Sequence, residues 1–462
     1  MESAPSPSTL TPQQRRGVFT VWLIILIDLM GFGIVLPSLA YYVAIFDVPP
    51  WATSLASTFG LQTRGGVLVG LILTSYSLCQ FLFAPIWGRL SDKVGRRPIL
   101  ALSTAGFSLT WILFAFAPSF TVLLLSRALA GVCAANLSTA QAYMADVFPP
   151  ERRAKGMGLI GMAFGVGFVF GPAIGGGLVS EPLLGLLGYA PTHDLAARIV
   201  EGTEATLAFH RMQLMVPSLF AAGLSAISFT LTVTMMRESL SAELRAKLKP
   251  RQGKLGALFG ALRKPGIGPM LVVYFVVTLG FANLEAMFSQ FNVDHLHIKA
   301  SANAWVFVAI GVTLAFVQGG LIGRLTKAMG SRAVLTTGLS GLVAAMFLFG
   351  FQVELNPGLN AMLWLILLSI SIGAFNALCN PSILAIISTH TPADEQGGMM
   401  GVAASSATLG RIVGPTLGGI VYDAKGPQWP FAIGGTLIGL GLLFLVANYR
   451  GVAPPGNLPV AS

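Results

Sequence analysis

Gly88-Arg89-Leu90-Ser91-Asp92-Lys93-Val94-Gly95-Arg96-Arg97-Pro98 sets five charged side chains and two helix-punctuating glycines between two apolar runs, each long enough to cross a bilayer. The pattern returns 235 residues later in worn form, as Gly323-Arg324-Leu325-Thr326-Lys327-Ala328-Met329-Gly330-Ser331-Arg332. A second pair of stretches also matches, at an offset of 243: Gly167-Phe168-Val169-Phe170-Gly171-Pro172-Ala173-Ile174-Gly175-Gly176 and Gly410-Arg411-Ile412-Val413-Gly414-Pro415-Thr416-Leu417-Gly418-Gly419. Two matches in the same order at similar offsets mark an internal duplication. The short basic loop occupies the same place in each copy.

The chain has 462 residues, of which 54% are hydrophobic and 10% charged. A soluble domain carries roughly a quarter of its residues as charges, so this is a polytopic membrane protein. Twelve apolar runs of the ~20 helical residues needed to cross ~30 Å of hydrocarbon can be placed, the first at 18–46 and the last at 429–449. They lack the alternation of barrel strands, so an all-α protein is expected, with twelve transmembrane helices in two pseudo-symmetric six-helix bundles. The predicted division is an N-terminal tail (1–17), a first bundle (18–236), a basic linker (237–267), a second bundle (268–449) and a C-terminal tail (450–462).

Charge sets the orientation. With Met1 on the cytoplasmic side, that side holds 21 of the 28 Lys and Arg, and cytoplasmic loops accumulate such residues. Both termini are therefore expected inside, and the first run reads as a retained span rather than a cleaved signal, whose apolar core would be shorter. The net charge of +10 lies in these loops and gives no reason to expect a nucleic-acid partner. The linker's Ser239–Leu262 stretch reads either as an amphipathic helix on the inner leaflet or as a solvated basic loop. Cys79, Cys133 and Cys379 lie in apolar runs and suggest neither disulfide nor metal. The pair His295 and His297 reads as ordinary loop polarity. There is no G-x-x-x-x-G-K-[ST] sequence, so ATP hydrolysis is not expected, nor is a cofactor. In the fifth and eleventh spans, glycines at i and i+4 permit close helix contact and the proline bends the helix. Two such repeats suggest bundles that rock against each other around a midplane substrate site.

At these residues the chain resembles the major facilitator superfamily, over nearly its whole length. Gly88 to Arg97, with Asp92, Gly95, Arg96 and Arg97, is similar to the superfamily's signature between helices two and three. Gly167, Gly171, Pro172, Gly175 and Gly176 match its antiporter-associated fifth-helix motif. Arg127-Ala128-Leu129-Ala130-Gly131 resembles the fourth-helix motif, whose Arg is linked with proton coupling. Asp28 to Pro37, with Arg237-Glu238-Ser239-Leu240, is similar to twelve-helix drug:proton antiporters, most of all to tetracycline exporters. The second copy of the loop departs from the signature: Lys327 stands where the first has Asp92, and Ser331 where it has Arg96.

Four ionisable residues fall well inside spans: Asp28, Arg127, Glu285 and Arg411. A charge at the bilayer centre costs ~2.5 to 3.5 kcal/mol even on the lenient scale, so each should face water or a partner. At ~1.5 Å per residue, Asp28 and Arg127 lie at nearly the same depth. The expectation is that they interact across the transport cavity implied by the resemblance, with Asp28 carrying a proton as their separation changes; the alternative is a static brace. Glu285 and Arg411 also share a depth, as a structural ion pair or as a second proton or substrate site. Tyr76, Gln80, Asn136, Gln141, Phe281, Phe288, Gln290, Asn376 and Asn380 are the expected lining of an aromatic-rich pocket. Asp92, held by Arg96 or Arg97, is expected to close the inner gate on the N-terminus of the eleventh span.

The function expected is secondary transport: export of a hydrophobic or amphiphilic small molecule against inward proton flow, by a monomer in a bacterial inner membrane. The partners are the substrate, protons and the lipid bilayer. A sugar or metabolite importer, and a receptor or scaffold without transport, are the alternatives.

Overall fold

The computed structural model describes residues 10–58, 65–149, 152–188, 204–240, 254–355, 360–392 and 395–448, and every regular element among them is helical. Parts of the expected tails (1–9, 449–462), of the basic linker (241–253) and of the long segment before the sixth span (189–203) lie outside the described residues.

The first helix, α1 (Pro12–Val35), begins before the expected edge at residue 18. Thr11 explains this: its hydroxyl accepts from the Gln14 N–H, Gln14 returns a bond to the Thr11 N–H, and Pro12 fits the first turn. Then come α2 (Gly66–Val94), α3 (Arg96–Ala115), α4 (Phe120–Cys133 and Leu137–Val147, joined by a 3-10 turn at Ala134–Asn136), α5 (Arg153–Leu178) and α6 (Glu204–Met235). The second half has α7 (Ile267–Leu296) and α8 (Ala300–Phe316), which runs through a π-turn at Val317–Leu321 into Ile322–Gly350. Gly330 breaks that last stretch, and residues 331–350 beyond it are α9. The chain ends with α10 (Ala361–Thr389), α11 (Gln396–Lys425) and α12 (Trp429–Ala447).

Ten stretches among the described residues are long and apolar enough to cross a membrane. One of them, Ala300–Gly350, contains both α8 and α9; α11 is not among the ten, being diluted by Gly, Ser and Thr and by Arg411. Leu102 and Leu109 on α3, with Leu440 and Leu443 on α12, face outward and are each more than half exposed, as lipid-facing side chains should be.

The duplication is visible in backbone detail. Gly95 (φ 119°) and Gly330 (φ 81°) make the same sharp exit between consecutive spans, at a φ that glycine alone adopts cheaply. The α5 glycines serve one task in the first half: a Cβ on Gly171 would lie 2.9 Å from the Gly33 Cα of α1, and one on Gly175 would lie 2.4 Å from the Ile34 carbonyl. Their counterparts on α11 do the same against α7, Gly414 approaching the Leu279 carbonyl (2.6 Å) and Gly418 the Asn283 side chain (2.2 Å). Each glycine stripe thus lets two backbones meet, which is what holds helices together where lipid removes the hydrophobic drive between them.

Candidate functional site

The halves meet at one face and part toward the other. Call the end that carries Gly95 and the linker the basic face, and the opposite end the far face. On α5, Gly158 and Gly176 are 18 residues apart, five turns, and so lie on one side of the helix. A Cβ on Gly176 would lie 2.7 Å from Ala304 of α8; among the described residues, one on Gly158 would meet nothing within 4 Å. On α11, Gly401 and Gly419 have the same spacing, and Gly419 presses on the Gly66 carbonyl of α2 (2.3 Å) while Gly401 meets nothing within 4 Å among the described residues. The two crossing pairs therefore close the far face and leave a cleft open toward the basic face.

Broken helix ends and side chains seal the far face. The 3-10 turn at Leu36–Ser38 that follows α1 presents carbonyls to the second half: Asn303 Nδ2 donates to the Pro37 oxygen (2.6 Å) and Ser289 Oγ to the Leu36 oxygen (3.4 Å). Tyr41 donates to the Ile298 carbonyl. Across α2 and α11, the buried Asp423 carboxylate accepts from the Gly66 and Val67 N–H groups at 3.0 and 3.1 Å. These are the N-terminal donors of α2 that have no partner inside the helix, and an anion there also meets the positive end of the helix dipole. Thr74 bonds the Ile412 carbonyl (2.8 Å) and receives a bond from Thr416 (2.8 Å).

The four intramembrane charges stand deeper. Asp28 is half-buried and accepts from Asn136 Nδ2 at 3.2 Å. Asn136 is placed by the 3-10 turn in α4. Carbonyls around this turn accept from neighbouring side chains, Trp87 Nε1 at the Val132 oxygen (2.6 Å), Ser103 at Cys133 and Gln80 Nε2 at Ala134 (3.0 Å). Arg127 is buried, its guanidinium 4.1 Å from the centroids of both the Trp111 and Phe114 rings, with Nε and Nη2 making no hydrogen bond among the described residues. The corner formed by these two nearly perpendicular rings, rather than an ion pair with Asp28, holds the cation in this state. Tyr76 is within electrostatic reach of Asp28, Arg127 and Arg411. Glu285 is half-buried and Arg411 exposed; they interact electrostatically but form no ion pair within 4.0 Å.

The other expected lining residues divide. Tyr76 and Phe281 are half-buried and Gln141 is exposed. Asn380 is half-buried, with an Oδ1 that has no hydrogen-bond partner among the described residues. Gln80 spends its amide on the Ala134 carbonyl, and the buried Gln290 donates to both oxygens of Asp294 (3.2 and 3.0 Å). Asn376 is buried. Phe288 is fully buried and stacks on Phe349 (4.9 Å) and edge-on to Phe307 (5.1 Å), in an aromatic cluster inside the second half. Expecting Phe288 on the cavity wall is therefore incorrect for this state: its ring packs against α8 and α9, not the cleft.

At the basic face the loop is a closed charge network. The buried Arg96 donates to Asp92 Oδ1 (2.5 Å), to Ser91 Oγ (2.8 Å) and, through Nε, to Asp146 Oδ2 (3.2 Å), to which Ser239 also donates (3.0 Å). Glu238 caps α3, accepting from the Arg96 and Arg97 N–H groups at 2.8 and 3.2 Å. Arg97 Nη2 reaches the Val233 carbonyl (2.6 Å), so Arg96 is the partner that holds Asp92. Gly88 and Gly95 are buried beneath this network. Replacing Arg96 by Ala removes a buried cation from between two carboxylates. It should destabilise the protein by about 2 kcal/mol, between the ~1 kcal/mol of exposed pairs and the ~3 to 5 kcal/mol of fully buried ones. Chemical unfolding in detergent, with Arg96→Lys as the milder variant, measures it.

Asp146 and Asp423 are functional candidates that sequence reasoning did not single out, and Glu238, quoted there only within the Arg237–Leu240 stretch, is seen here to cap α3. For Asp423 a signal existed, since it ends the run Gly418-Gly419-Ile420-Val421-Tyr422-Asp423 directly after the duplicated motif.

The Major Facilitator Superfamily model matches residues 19–187 and 270–461 of the chain. The chain is 27% identical over 421 residues to "Tetracycline resistance protein, class E" of Escherichia coli, covering 90% of each. It is 28% identical over 430 residues to human "Major facilitator superfamily domain-containing protein 10", again covering 90% of each. Among solved structures, that of "the human organic anion transporter MFSD10 (TETRAN)" superposes with a TM-score of 0.65 at 26% identity, covering 94% of this chain and 100% of that one. A bacterial homolog of the human lysosomal transporter Spinster, in an inward-facing and unoccupied conformation, shares the fold at a TM-score of 0.62 and 17% identity, covering 96% of this chain and 97% of that one.

Proposed function

Because the chain belongs to the Major Facilitator Superfamily, whose members are membrane transporters rather than enzymes, we propose that it is a proton-coupled antiporter exporting a hydrophobic or amphiphilic small molecule by alternating access. The observation that carries this reading is a cleft shut at the far face and open at the basic face, with two half-buried carboxylates, Asp28 and Glu285, at mid-membrane depth. The positive-inside rule makes the basic face cytoplasmic, so this is the state that receives cargo from inside. The halves, 18–236 and 268–449, rock about the glycine crossings, and a bacterial inner membrane and a working monomer fit the compact loops.

Export of an amphiphile suits the walls better than import of a sugar. Gln80, Asn136 and Gln290 spend their amides on the protein's own groups, leaving Tyr76 and Phe281 as broad contact surfaces. The names of two relatives mention tetracycline resistance and organic anion transport. Protons carried by Asp28 in exchange for cargo would drive the cycle without ATP. The test is a pH dye inside vesicles holding the purified protein under an imposed proton gradient, with amphiphilic drugs added one at a time. Proton movement triggered by a drug, absent from empty vesicles, is the expected result. Silence across the panel together with uptake of a polar metabolite would replace the reading by import.

A further inference from the structure

Arg411 is exposed at mid-span on α11, and among the described residues it makes neither a hydrogen bond nor an ion pair. Its direction follows from its neighbours on the helix. Gly410 and Gly414 press on α7, at Phe275 and Leu279, while Pro415, Thr416 and Gly419 press on α2, at Gly70, Thr74 and Gly66. Arg411 lies between those two flanks. Val413 and Ile420, both exposed, lie about 180° around the helix from it and so take the lipid side. Arg411 therefore projects into the cleft. On the same stripe toward the basic face are Thr408, whose hydroxyl bonds the Ala404 carbonyl, then the exposed Ala404 and Gly401, so the guanidinium is reached along an open wall. Glu285 is within electrostatic range but not paired with it, and the Tyr76 and Tyr274 phenols are also in range.

A guanidinium at this depth is costly unless water or a ligand satisfies it, and its planar fork matches a carboxylate with two parallel bonds. We propose that Arg411 is the recognition point for an anionic group on the cargo, so that the transported class is carboxylate-bearing amphiphiles, with the apolar body lying over Phe281 and Tyr76. This rests on the transporter reading and names its substrate class.

The test uses three probes with one aromatic body: 2-naphthoate, 2-naphthamide and 2-naphthylmethylammonium. Their binding to the full-length protein in lipid nanodiscs is measured by equilibrium dialysis, which needs neither transport nor a proton gradient. The wild type should prefer the naphthoate, and Arg411→Gln should weaken that probe about 10- to 100-fold, the value of bonds to a charged group, while changing the amide less than about threefold. Arg411→Lys should keep part of the affinity. Thr408→Asp leaves the arginine in place and sets a competing carboxylate one turn away; it should also weaken the naphthoate. Equal or better binding of the ammonium or the amide, no binding of any probe, or a naphthoate affinity indifferent to both Arg411→Gln and Thr408→Asp overturns the proposal. Naphthoate binding through Arg411 without drug-triggered proton movement would leave the site standing and remove the antiport reading; proton exchange with cationic drugs in Arg411→Gln would do the reverse.

Discussion

Asp28→Asn should reduce drug-triggered proton movement to the level of empty vesicles while leaving a folded, inserted protein that still exchanges cargo down its own gradient. The two side chains have nearly the same shape, and the amide can keep a bond to Asn136, so the stability change should stay within about 1 kcal/mol. What is lost is the proton. In this state, among the described residues, Asp28 bonds only Asn136, and Arg127 is held apart from it against Trp111 and Phe114. A rocking motion that shifts α4 against α1 changes the distance between the anion and that cation, and with it the proton's hold on Asp28. Counterflow of labelled drug and the pH-dye signal, recorded on the same vesicles, separate the two activities. Counterflow with full proton movement in Asp28→Asn would move the carrier to Glu285.

Gly70→Leu should abolish transport by preventing the far face from closing. A Cβ at Gly70 would lie 2.4 Å from the Pro415 carbonyl oxygen and 3.1 Å from the Thr416 Cα, and these are backbone atoms that cannot turn aside. Overfilling a packed contact costs about 1 to 3 kcal/mol, and transporter states differ by only a few, so the outward-open population should rise roughly 10- to 100-fold. A cysteine at Thr416, in a background lacking Cys79, Cys133 and Cys379, reports this. It is shielded by Thr74 in the closed arrangement and should become reactive toward a membrane-impermeant maleimide from the far side only in Gly70→Leu. Unchanged labelling with transport intact would mean that the α2–α11 contact is not the far gate.

The fold was legible because its determinants are local and repeated. The Gly88–Pro98 loop, its copy with Gly330, and the two Gly-Pro motifs each fix a backbone feature that sequence spacing reveals directly. Helix starts were less legible: α1 was extended to Pro12 by a capping box in a polar stretch, which hydropathy does not register. The site was half legible. Rarity of charge inside apolar runs found Asp28, Arg127, Glu285 and Arg411, but depth along a helix says nothing of azimuth. Arg127 met two aromatic rings instead of Asp28, and Phe288, one turn along from Glu285, turned into the core. Asp423 escaped, as did the capping role of Glu238, because both stand at span ends, where a charge is unremarkable; only tertiary packing brings them to the starts of α2 and α3.

Uphill accumulation tests the central claim most directly. Inverted vesicles holding the protein, with its basic face outward and an acid interior, are given a trace of labelled amphiphile at equal concentration on both sides. Proton-coupled export predicts accumulation inside well above the outside level, its collapse on adding a protonophore, and its absence in Asp28→Asn. Equilibration to equal concentrations, unchanged by the protonophore, would show a facilitator and contradict the account.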